Sequence, residues 1–178
     1  MTLENPHKDL DRTDFRVLRA LVEDGRAADV ALGDAVNLSS TAAARRRKIL
    51  EEKGIISGYS AVINQKSLGF SITVLVLIEL SSQAESKLME FEDAVMACPS
   101  MSFCSFISGE NDFMMLINVR SFDDYDHVYR SELSNLPHVA KIRSSFLLRE
   151  VARRRVAPVV LDETARTQEK RAGPPSWR

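Results

Sequence analysis

Leu38-Ser39-Ser40-Thr41-Ala42-Ala43-Ala44-Arg45-Arg46-Arg47-Lys48-Ile49-Leu50-Glu51-Glu52-Lys53-Gly54 reads as one short helix with a slim start, a cationic middle and a glycine stop. Ser39 suits the N-cap, because its hydroxyl oxygen can accept from the orphan N–H groups of the first turn. The Ala-rich first half leaves room for close approach to a groove floor, while Arg and Lys have the reach for phosphates and base edges. That combination fits a helix that enters double-stranded DNA.

What precedes this stretch supports the same reading. Residues 9–24 carry Leu10, Val17, Leu18 and Leu21 near helical spacing, with Asp9 or Asp11 as cap and Asp14 in the dipole-positive first turn. A second short helix fits residues 30–36, and Asn37-Leu38 make a tight turn into the third. Three helices joined this way are a helix-turn-helix arrangement. Ile55-Ile56 and residues 59–63, broken by Gly58, suggest a wing-like or connecting strand.

From Phe70 the pattern changes to strand, helix, strand, strand, helix, strand. The expected elements are strands at 72–80, 101–108, 113–119 and 142–150, with helices at 85–96 and 122–135. This βαββαβ order is that of a ferredoxin-like unit, in which the first and third strands are central. Residues 72–78 and 113–117 are apolar on both faces, as central strands covered on both sides require. Two helices cover one face only. The other calls for a partner, most simply a second copy, so a homodimer through this unit is expected.

The chain of 178 residues has a formal net charge of -1, which excludes an all-over polycation. Basicity is local: residues 38–54 hold five Lys or Arg against Glu51 and Glu52. Cys98 and Cys104 make no disulfide framework and read as small packing residues, which fits a reducing compartment. His7, His127 and His138 stand in unrelated contexts, and no Cys/His spacing suits zinc. Asp123, Asp124 and Asp126 open a helix and lack the pattern of a calcium loop. With no signal-peptide pattern and no apolar run near membrane length, the expected address is cytoplasmic, with no membrane partner. No nucleophile–base pair or phosphate-cradling glycine loop emerges, so neither an enzyme nor a cofactor is expected.

With these elements in this order, residues 8–152 resemble the Lrp/AsnC family of bacterial transcription regulators. The resemblance is carried by Leu10-Asp11-Arg12-Thr13-Asp14, Leu38-Ser39-Ser40-Thr41, Leu50-Glu51-Glu52-Lys53-Gly54-Ile55-Ile56-Ser57-Gly58-Tyr59 and Ser108-Gly109-Glu110-Asn111-Asp112-Phe113. It implies a winged helix-turn-helix followed by a ferredoxin-like domain that senses an amino acid or related metabolite, in dimers that assemble further, commonly into octamers. The effector is implied to bind near Gly109, Glu110, Asn111 and Asp112, in a cleft shared between subunits, with Ser144 on the fourth strand nearby, flanked by Arg143 and Ser145.

The resulting expectation is an α+β chain. Residues 8–60 are the DNA-binding domain, 61–69 a connecting strand and hinge, 70–156 the sensing and dimerisation domain, and 157–178 a flexible tail. Ser40, Thr41 and Ala44 are assigned to groove entry alongside Ser39, and Arg45, Arg47 and Lys48 to base or phosphate contact. Arg46 projects beside Ile49 and Leu50, where it can face DNA or pair with an acid such as Asp14 or Asp34. Gly109 can present backbone N–H groups to a carboxylate and Asp112 can accept from an ammonium; the same residues can simply close a hairpin. Arg153-Arg154-Arg155 reads as a solvated charge run with DNA as the other reading, and Trp177 as incidental. The rival function is a small-molecule-binding module whose helical domain docks a protein.

Overall fold

The computed structural model describes residues 10–162, and the chain divides into two units. His7 and Trp177 lie outside the described residues. No helix among the described residues is long and apolar enough to cross a membrane.

The first unit is built from residues 10–62 with residues 153–162. Helix α1 spans Arg12–Glu23, α2 Asp29–Val36 and α3 Ser40–Glu52. A reciprocal capping box starts α1: the Asp11 carboxylate accepts from Thr13 N and Asp14 N, and Asp14 Oδ2 accepts from Asp11 N. Its inward stripe of Val17, Leu18 and Leu21 meets Leu32 and Val36 of α2 and Ala43 and Leu50 of α3 in one buried cluster. Asn37 ends α2 in the left-handed region at φ 56°, a conformation Asn tolerates better than most residues.

The α2–α3 turn is tight enough to demand glycine at position 33. A Cβ there would lie 2.7 Å from the Leu38 carbonyl oxygen and 3.2 Å from Ser39 C and Ser40 N, all main-chain atoms. Gly33→Ala should therefore force the turn apart and cost about 1–3 kcal/mol. A circular-dichroism melt checks this, and an alanine variant that melts with the wild type would sink the steric argument.

Two sequence expectations change here. Residues 57–64 join no strand ladder among the described residues; Ile55 N and Ile56 N bond back to the Leu50 carbonyl, and Tyr59 Oη donates to Glu51 at 2.8 Å. In the segment expected to be a flexible tail, Pro158–Leu161 form a 3-10 turn, Leu161 joins the helical core, and Arg19 donates to its carbonyl. Arg155 donates to Ser60 Oγ.

The second unit spans Ile63–Ala152. Its elements are β1 (Ile72–Leu80), α4 (Glu85–Val95), β2 (Met101–Phe106), β3 (Phe113–Val119), α5 (Phe122–Ser131) and β4 (Val139–Phe146). The antiparallel sheet runs β2-β3-β1-β4, so β1 and β3 are central as their composition requires. β4 starts earlier and stops sooner than its apolar residues suggest, since after Phe146 only Leu147 N still bonds to β1, at Thr73 O. Val74, Val76, Ile78, Met115 and Ile117 point toward α4 and α5, where Phe91, Val95, Tyr125 and Val128 complete the core. Strand alternation sends Leu75, Leu77, Met114 and Leu116 to the opposite face, where they are only half-buried, beside the exposed Phe103.

Candidate DNA interface and effector turn

A helix turns about 100° per residue, so the four consecutive cations of α3 cannot share one side. Arg46 Nη1 lies 2.7 Å from Asp14 Oδ1 and 2.8 Å from Asp11 Oδ2, which joins α3 to the start of α1. The hydrogen bond to Asp14 is the main reason the Arg46 pKa rises further. Burial pushes the Asp11 carboxyl up, but bonds from Asp14 N, Thr13 N and Arg46 outweigh it, and the net shift is downward. Of the two readings open for Arg46, the structure holds the acid pair.

Arg47 departs from its assignment to base or phosphate contact. Nη2 lies 2.7 Å from Asp29 Oδ1 and donates to Ala27 O at 2.8 Å; the side chain is 22% exposed, and Nε is buried with no hydrogen-bond partner among the described residues. The acid at the start of α2 captures this guanidinium, so its job is to hold α3 against α2. Arg45 and Lys48 remain outside. Both are exposed; Lys48 has only a loose 3.7 Å pair with Glu52, and Arg45 has no partner among the described residues. Thr41 is exposed on the same stripe, and Ser40 and Ala44 are half-buried beside it. Ser39 Oγ accepts from Ala42 N at 3.2 Å, as a cap should, leaving its hydroxyl proton free to donate outward.

In the sheet unit, the β2–β3 turn leans across the end of β1. Gly109 sits at φ 124°, where L side chains are strained, and a Cβ there would meet open space. Asp112 corrects its assignment. It is 4% exposed, and its two carboxylate oxygens accept from Leu80 N and Gln83 Nε2, each at 2.7 Å. Its own N–H donates to Ile78 O. The carboxylate is thus committed to closing the turn onto β1 and is not presented to a ligand ammonium.

Ser144 is also not brought to the turn. In register with Val76 it faces the helices, and its Oγ pairs with Tyr125 Oη; Arg143, one residue earlier, faces the other way beside Leu77. Arg143 is the residue the turn does meet. Nη1 donates to Asn111 Oδ1 at 2.8 Å and Nη2 to Glu110 Oε1 at 3.0 Å. A separation of more than thirty residues conceals this pairing in the sequence. The usable signal is strand alternation, which sets Arg143 on the face opposite the helices, beside Leu75 and Leu77.

Comparison with known proteins agrees with the two-unit reading. Residues 10–57 match a winged helix-turn-helix DNA-binding model, and residues 73–157 match the Lrp/AsnC ligand binding domain. The chain is 34% identical over 151 residues to the Bkd operon transcriptional regulator of Pseudomonas aeruginosa, covering 85% of this chain and 99% of that protein. It is 34% identical over 148 residues to the leucine-responsive regulatory protein of Escherichia coli K12, covering 83% and 90%. A transcriptional regulator from Neisseria meningitidis, solved in complex with L-Met, superposes with a TM-score of 0.80 at 27% identity over 84% of this chain and 97% of that one. A DNA-binding transcriptional regulator with a helix-turn-helix and a ferredoxin-like ligand-binding domain, the chain belongs to the Lrp/AsnC family.

Proposed function

We propose that the protein binds duplex DNA as a dimer or larger assembly, up to the octamer that the family resemblance suggests, and that an amino acid at the Gly109–Asn111 turn adjusts its DNA affinity. The carrying observation is the stripe of Thr41, Arg45 and Lys48, exposed while Arg46 and Arg47 are tied to acids. Thr41, Ser40 and Ala44 form the side that enters the major groove, and Arg45 and Lys48 contact phosphates or base edges, with the Ser39 hydroxyl at the margin. A salt-sensitive interaction of this kind separates the DNA reading from a helical domain that docks a protein.

The dimer rests on the uncovered sheet face. Leu75, Leu77, Met114, Leu116 and Phe103 form an apolar patch that a second copy would bury by isologous packing. Two copies so paired present two recognition helices and favour pseudo-palindromic sites. An amino-acid effector is supported by the Neisseria relative's complex with L-Met and by the leucine-responsive character in the E. coli relative's name. Effector binding at the turn then biases assembly or DNA affinity through a reciprocal coupling free energy.

Sedimentation at micromolar concentration should give a dimer or larger species, and a monomer would remove the sheet-to-sheet pairing. In a thermal-shift screen of the twenty amino acids, one at a hundred times its Kd should stabilise by about 2.7 kcal/mol. A flat screen would defeat the amino-acid reading.

A further inference from the structure

We infer that Arg143 is the carboxylate anchor of the effector site and that Glu110 occupies it in the ligand-free chain as an internal stand-in. This rests on the reading of the turn as an amino-acid site. The ligand class is a free α-amino acid, recognised through its unblocked α-carboxylate.

The guanidinium fork is built to take both oxygens of one carboxylate. Here the fork is divided: Nη1 goes to the amide oxygen of Asn111 and Nη2 to one oxygen of Glu110. Neither partner uses the full bidentate geometry, so a free carboxylate has something to gain by replacing them. Displacement is also cheap. The Glu110 side chain is 78% exposed and that of Arg143 34%, and ion pairs in such surroundings contribute little. Glu110 recovers its hydration once released.

The surroundings allow an occupant. Arg143 projects from an edge strand on the face away from α4 and α5, next to a turn whose Gly109 leaves space where a side chain would stand. The base of the turn does not move with the exchange, because Asp112 is pinned to Leu80, Gln83 and Ile78. Only the exposed Glu110 and the Asn111 amide need to yield.

The test uses the full chain, the amino acid giving the largest thermal shift with the wild type, and the α-amide of that amino acid, with affinities from titration calorimetry. The wild type should prefer the acid over the amide by at least tenfold. Arg143→Gln should lose at least tenfold affinity for the acid, and its acid-over-amide preference should collapse toward unity. Arg143→Lys, which keeps the charge without the fork, should fall between. Glu110→Gln should tighten acid binding severalfold at low salt, and the same change in the Arg143→Gln background should do nothing. An acid preference that survives Arg143→Gln would hand the anchor to the backbone N–H groups and overturn the proposal. Equal binding of acid and amide by the wild type would overturn it without any variant having to fold. Weaker binding by Glu110→Gln would make that residue a ligand contact and overturn its role as stand-in. A wild type that responds to no amino acid overturns the underlying site itself, and is recognised because it precedes every variant.

Discussion

Arg45→Ala combined with Lys48→Ala should weaken duplex binding by ten- to a hundredfold near 100 mM salt and flatten its salt dependence. Each phosphate contact released contributes about 0.9 to the slope of log affinity against log salt, so two lost contacts per protomer remove roughly two units, or about four in a dimer. Both side chains are exposed, and Lys48 gives up only a surface pair with Glu52, so the fold should tolerate their loss. The matched control is Arg46→Ala. That change leaves Asp11 and Asp14 without their cation and should lower the melting temperature of the helical unit, while the salt slope of the folded fraction stays near wild type. Fluorescence anisotropy between 50 and 200 mM salt measures both. Should the double variant keep affinity and slope alike, the stripe is a solvated helix face and the DNA contacts lie elsewhere.

The contrast between neighbouring cations also marks how far sequence reading reaches. Periodicity gives direction: the i, i+4, i+7 spacing of Thr41, Arg45 and Lys48 makes one stripe, and the same wheel sets Arg46 beside Ile49 and Leu50, with Asp14 among its candidate partners. The same logic made β1 and β3 central and left one sheet face uncovered. Local chemistry was legible too, since Ser39 caps α3 and Asn37 takes the turn. What periodicity does not carry is the position of partners on other elements. From sequence Arg47 is assigned to base or phosphate contact, and only the packing of α2 onto α3 brings Asp29 and Ala27 within reach. Ser144 and the turn are grouped from the sequence, yet an alternation of two residues separates faces completely, and Ser144 faces the helices while Arg143 faces the turn. The return of Leu161 to the helical core is a contact across about 140 residues, which composition alone reads as tail.

Asp112 is where the sequence motif and the geometry part most sharply, and its replacement should expose the difference. Asp112→Ala removes the acceptor for Leu80 N and for Gln83 Nε2 in a nearly fully buried position. Bonds to a charged acceptor are worth about 1.5–3 kcal/mol each, and a stranded buried N–H adds a desolvation penalty. A loss of about 3 kcal/mol in the sheet unit follows, and a melting temperature lower by roughly 10–20 °C. Asp112→Asn is the informative companion. One oxygen still accepts from Leu80 N, and a flip of the Gln83 amide lets its oxygen accept from the new Asn Nδ2, so the turn stays closed at a cost below about 1 kcal/mol. If Asp112 only holds the turn, the Asn variant keeps the amino-acid response although it has lost the charge. If instead the carboxylate receives the ligand's ammonium, Asn abolishes the response at unchanged stability, and Ala melts with the wild type. Differential scanning fluorimetry of the three proteins, each with and without amino acid, distinguishes the two, because a structural clamp depends on paired hydrogen bonds whereas an ammonium site depends on the negative charge itself.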